Sequence, residues 1–213
     1  MAFFRNLPVR MDQEQLYNQM HIREDLWNYE TYQRAYHELM EEIPRMIDPK
    51  GAYKLVPNRI GKMIHEDLSG LTHLVCSVVT LGPGISRWCT ELFAEKDYLK
   101  GLVIDAIADQ MLFNLSDDFY TLIRADIVEG KHLGLTARYV PDKKRIPVHF
   151  QKEILDLTCE QERLRVSVTE GFMYNPIKSL GYVYGADPRI CTATKDHACG
   201  LCAKTDCGFR ETA

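Results

Sequence analysis

The chain has 213 residues, 46% hydrophobic and 26% charged, with a net charge of −4, an ordinary globular composition that buries a core without disulfide staples. No segment approaches the roughly 18 uninterrupted apolar residues of a membrane helix, and no dense Lys/Arg stripe offers nucleic acid an electrostatic footprint, so both partners are excluded. The opening MAFFRNLPVRMDQEQ lacks the apolar stretch and cleavage site of a secretory signal; the expected location is the cytoplasm, where clustered cysteines point to metal, cluster or redox chemistry.

From Gln13 to about Met46, apolar residues recur at helical intervals (Leu16, Met20, Leu26, Tyr32, Tyr36, Leu39, Met40), with Pro44 near the end. One or two amphipathic helices are predicted. IDPKGAY reads as a turn, and LTHLVCSVVTLG, rich in β-branched residues, as a strand stopping at Gly82, Pro83 and Gly84. ISRWCTELFAEKD then reads as a shorter helix. YLKGLVIDAIADQMLFNLSDDFYTLIRADIVEG reads as a long one, whose first half is apolar nearly all round and so belongs inside.

HLGLTARYV returns to extended structure, PVHFQKEILDLT opens a helix with Pro147 near its first position, and LRVSVTEGF and SLGYVYG give two more strands about an Asn175-Pro176 turn. Without regular strand-helix-strand alternation, the fold class expected is α+β, an antiparallel sheet packed with helices. A boundary is expected near residue 185: 1–185 forms the α+β domain, with a helical part over 1–70, and 186–213 forms a Cys-rich tail poor in apolar residues.

In the tail, Cys191, Cys199, Cys202 and Cys207 lie in a short polar segment with His197. A Cys-x2-Cys step brings two sulfurs to one metal, and two further thiolates complete four-coordination of zinc or an iron-sulfur cluster. The alternative is a thiol-rich tail without metal. Asp105 and Asp109, four residues apart, share one face of the long helix, as a carboxylate pair or as the polar edge of a buried helix. Gly82-Pro83-Gly84 has neither the spacing nor the Lys of a phosphate loop. Cys76 and Cys89 fall in a strand and a helix with no electropositive neighbourhood, so both read as structural and no catalytic residue is assigned. VTEGFMYNPIKSLGYVYG gathers Glu170, Ser179, Tyr182 and Tyr184, a mixture suited either to a pocket for a polar ligand or to an aromatic face packed on helices.

Together, VTEGFMYNPIKSLGYVYG, HLGLTARYVPDKKRIPVHFQKEILDL, VVTLGPGI with YLKGLVIDAIADQM, and the ending CGLCAKTDCGFR resemble the activation domain of cobalamin (vitamin B12)-dependent methionine synthase in its stand-alone form, from roughly Leu71 to Arg210. The resemblance implies a twisted antiparallel sheet that binds S-adenosylmethionine and docks over a corrinoid held by a partner protein or methyltransferase. There, an electron donor reduces the oxidised cobalt and the bound ligand methylates it. Arg138 falls at the start of the family's Arg-x-x-Pro-Gly-Tyr motif, where its planar fork suits the ligand's carboxylate. Tyr139 and Pro141 belong to the loop shaping the pocket, and Glu170, Pro176 and Tyr184 keep their places in the second motif. Where the first motif continues Pro-Gly-Tyr, this chain has Pro141, Asp142 and Lys143, and Phe113 stands where the family has a glutamate near the sulfonium. The rival expectation is a binding module that keeps the fold without the ligand and works through the Cys191–Cys207 metal centre.

Overall fold

A computed structural model describes residues 1–141 and 146–192. The N-terminal periodicity resolves into two helices behind an edge strand β1 (Ala2–Arg5). Helix α1 (Gln13–Gln19) starts where the Asp12 side chain accepts the Gln15 N–H at 3.0 Å. Helix α2 (Tyr29–Met46) buries Ala35, Tyr36, Leu39 and Ile43, the stripe its spacing predicts, and carries Pro44 in its final turn. Strand β2 (Lys50–Pro57) begins inside the segment that reads as a turn. The strand is possible there because Gly51 is bare: a Cβ would lie 2.7 Å from the Phe119 ring, which packs directly on the backbone.

Helix α3 (Gly61–Ile64) and a 3₁₀ turn (Glu66–Leu68) lead to β3 (His73–Thr80). Gly82, at φ 81, and Pro83 at the first turn start α4 (Pro83–Ala94), so the Gly-Pro-Gly is a strand-to-helix turn. Helix α5 (Tyr98–Arg124) runs through the middle of the molecule and ends in a π turn (Ala125–Gly130). Strand β4 (Gly134–Leu135), α6 (Phe150–Thr158), α7 (Gln161–Leu164), β5 (Ser167–Val168), β6 (Tyr174–Asn175) and β7 (Ser179–Asp187) complete the described chain. β7 runs two residues past the expected boundary at 185.

The main sheet has the order β1-β2-β3-β7-β4, antiparallel at every pairing. The α+β expectation therefore holds. The two segments read as strands about the Asn175-Pro176 turn do not pair with each other: β5 pairs with β6, whereas β7 lies between β3 and β4. Nearly every residue of β7 is buried, and only a strand covered on both faces tolerates that pattern. Tyr53, Val75, Val79, Tyr182 and Tyr184 face α1, α2, α4 and α5. Ala52, Val56, Cys76, Val78 and Val183 face α6 and the β5–β6 hairpin.

Close approaches fix how these layers meet. A Cβ at Gly84 would press into the Met46 carbonyl oxygen at the end of α2, and one at Gly134 into the Ile190 carbonyl. At the end of β7, opposite Gly134 of β4, Asp187 is fully buried and accepts from the Thr72 N–H at 2.9 Å and from Arg189 Nε at 2.7 Å. The Arg189 side chain, its backbone N–H and that of Thr72 hold the Asp187 carboxyl well below the usual carboxylate range. A depressed folded-state value means stability that is present above the unfolded value, about pH 4, and is lost as pH falls further. Urea midpoints measured across acidic pH should fall steeply for the wild type and less steeply for Asp187→Asn; parallel acid limbs would contradict this.

Candidate functional site at the β4–β7 edge

The chain after β4 carries one extra residue against β7. Thr136 N–H donates to the Gly185 carbonyl at 3.0 Å, and Tyr139 and Val183 exchange two bonds of 2.9 Å, so three steps on one strand match two on the other. An inserted residue reverses the alternation of faces. Arg138 consequently points to the α5 side, and Tyr139, next in sequence, points to the α6 side. The Tyr139 ring lies 4.9 Å from that of His65, and its hydroxyl donates to Asp67 at 2.8 Å.

The Arg138 guanidinium donates to Ser116 Oγ at 2.6 Å and to Asp117 Oδ1 at 2.9 Å, both on α5, and lies 5.0 Å from the centre of the Tyr182 ring. Ser116 Oγ donates in turn to the Phe113 carbonyl at 2.7 Å. Tyr184 stacks edge-on against Tyr182 at 5.7 Å and tilts against Tyr120 at 5.5 Å. Arg138 and Tyr184, both expected at the site, are thus brought to the same face with one tyrosine between them. The Arg138 side chain is 1% exposed and Tyr184 is fully buried, whereas Asp117 is 42% exposed. Asp117 therefore covers the solvent edge of the guanidinium.

Pro141 is buried at the last described position before 142–145. Glu170 is exposed on the turn of the β5–β6 hairpin, whose Val168 and Tyr174 pack on the α6 side, across the sheet from Arg138. Cys191 is exposed. Cys199, Cys202 and Cys207, together with Asp142 and Lys143, lie outside the described residues.

Sequence reasoning passed over Ser116 and Asp117, whose only signal is that they follow Phe113 within one helical turn. It also assigned nothing to the N-terminal arm. Arg10 makes a two-bonded pair with Asp118, at 2.8 and 2.7 Å, and its carbonyl accepts from Asn114 at 3.1 Å. These contacts border a surface cleft of about 630 Å³ running along Arg10–Gln15 beside α5. Its size is that of a small-molecule site, and Asn114 and Asp118 neighbour Phe113 and Asp117 on the helix.

The other noted groups have structural tasks. Asp105 and Asp109 both hold Lys178 Nζ, at 2.7 and 2.6 Å, and the lysine side chain is 7% exposed. Burial pushes the Cys76 thiol up to about 12. Burial, with Asp105 behind it, pushes Cys89 up to about 11. Both remain protonated thiols at neutral pH, as their sequence settings suggest. No helix among the described residues is long and apolar enough to cross a membrane.

These features define an α+β domain whose β4–β7 edge presents a guanidinium and stacked tyrosines to one long helix. No family model matches the chain, and no curated protein matches it. Among solved structures it is similar to the MetH reactivation domain bound to AdoHcy, with a TM-score of 0.64 and 15% identity over 90% of this chain and 80% of that one. The likeness is one of fold: helices and an antiparallel sheet laid out as in that domain.

Proposed function

We propose that the protein binds S-adenosylmethionine at the Arg138 edge and serves, as a separate chain, in the reductive reactivation of a corrinoid protein. The observation that carries this reading is the fold-level likeness to a domain solved with AdoHcy, taken with the position of Arg138, re-aimed by the inserted residue onto the helix side of the sheet. The ligand's carboxylate would exchange with Asp117 at the guanidinium, a replacement of one charge-assisted bond by another. Its body would follow the cleft along Arg10–Gln15. Glu170, Tyr139 and Pro141 would act on the partner-facing surface and the loop, not on the same ligand atoms as Arg138. Cys191, Cys199, Cys202 and Cys207 would hold zinc or an iron-sulfur cluster, which elemental analysis and a visible spectrum of anaerobically purified protein test directly.

Isothermal titration with S-adenosylmethionine should give a saturable signal in the wild type. Arg138→Met, which keeps the apolar stem on Tyr182, should weaken binding by at least about tenfold, the loss expected for a charge-assisted bond. Absence of heat at millimolar ligand overturns the ligand half of the proposal. Failure to co-purify with any corrinoid protein from the same genome overturns the other half.

A further inference from the structure

On the opposite face of the sheet, Lys54 of β2 donates to Cys159 Sγ across 3.1 Å, joining side chains 105 residues apart in sequence. Cys159 is exposed at the end of α6, in the left-handed region at φ 57, with Asp156 and Leu157 carbonyls at 3.4 and 3.8 Å from its sulfur. The nearby Asp156 carboxylate is engaged by Lys152 and by Gln161 at 3.1 Å, which leaves Lys54 as the cation on the sulfur. Lys54 is two residues from both Ala52 and Val56 and so shares their α6-side face by the pleat of its strand. The feature is a pair built by the fold: an amine held against an accessible, oxidisable sulfur.

We infer that Lys54 and Cys159 form a covalent, reversible cross-link under peroxide. In the first step the sulfur attacks hydrogen peroxide, an S–O bond forms, the O–O bond breaks and water leaves, giving the sulfenic acid. In the second, the Lys54 nitrogen, having released its extra proton to solvent, attacks that sulfur. An S–N bond forms, the S–O bond breaks, and a second water leaves. One peroxide is reduced to two waters, and the thiol and amine together lose two hydrogens. Holding the amine within 3.1 Å of the sulfur makes the second step intramolecular, which favours it over capture by dissolved thiols. The product ties β2 to the end of α6, and two equivalents of an external thiol reopen it.

The test is peroxide treatment of the full-length chain, followed by digestion and mass spectrometry. The expected product is a joined pair of peptides carrying Lys54 and Cys159, two hydrogens lighter than their sum and separated again by a thiol reductant. A pair retaining one oxygen, from a second equivalent of peroxide, supports the same link. Lys54→Arg keeps the charge but should not join, and Cys159 in that variant should pass to sulfinic and sulfonic acid several-fold faster. A free Lys54 amine beside an over-oxidised or externally capped Cys159 in the wild type, or equal over-oxidation in both proteins, overturns the inference. Binding of S-adenosylmethionine plays no part in either outcome.

Discussion

Replacing Asp105 and Asp109 together by asparagine is expected to destabilise the fold by about 3–5 kcal/mol, the cost of leaving a buried charge without its partners. Lys178 is nearly inaccessible at 7%, whereas the two carboxylates are half exposed at 49% and 51%. The arrangement is therefore asymmetric. Removing the lysine, as in Lys178→Met, returns two carboxylates to water and should change stability by no more than about 1 kcal/mol. Burial pulls the Lys178 ammonium down, but the bonds and charges of Asp105 and Asp109 outweigh it and raise it above its ordinary value. The stability it contributes is thus complete below about pH 10 and is lost as pH climbs through the raised value. In the double variant both carboxylate charges are gone and only the Asp105 backbone carbonyl, at 3.3 Å, still accepts from the ammonium, so burial dominates, the sign reverses and stability should rise with pH once the ammonium discharges. Urea denaturation at neutral and alkaline pH checks both parts. Equal losses in Lys178→Met and the double variant would refute the asymmetry.

Phe119→Ala is expected to cost about 3–5 kcal/mol, a large share of the roughly 5–15 kcal/mol that stabilises a domain. The ring is 1% exposed and meets Phe4 edge-on at 5.5 Å and Tyr53 at 5.9 Å, so it joins the edge strand, β2 and α5. Gly51 makes the prediction sharper. A methyl at that position overpacks against the intact ring, costing about 1–3 kcal/mol. In the Phe119→Ala background the same methyl enters the vacated space. Gly51→Ala should therefore be destabilising alone and neutral or stabilising in the double variant, with a coupling of about 1–3 kcal/mol from a double-mutant cycle. Additive losses would mean that the strand and the ring do not share this contact.

Both contacts also mark what the sequence makes legible. Helices α1, α2 and α4, the strand at His73–Thr80 and the buried length of α5 follow from spacing and β-branching, because each buries a face whose period is written locally. β2 was hidden by Pro49 and Gly51, residues that locally favour a turn. What makes it a strand is the Phe119 ring, 68 positions away, which no local pattern contains. The place of β7 is hidden for a related reason: Asn175-Pro176 suggests a tight return, whereas two-sided burial puts the strand between β3 and β4. At the candidate site, Arg138 and Tyr184 came from motif resemblance, and the structure sets them on one face. Ser116, Asp117 and the Arg10–Asp118 pair were not legible, since a hydroxyl and carboxylates on an amphipathic helix look the same whether they face water or a guanidinium.

The bare Gly134 has a bearing on the cysteine that lies next to it in space. The Ile190 carbonyl rests where a side chain at 134 would stand, and Cys191 is the very next residue. Ile190 and Cys191 are thereby moored at the same sheet margin that carries Arg138, four positions along from that glycine. A bulkier residue at 134 would push the Ile190 carbonyl aside and cut that mooring while leaving Cys191 itself unaltered.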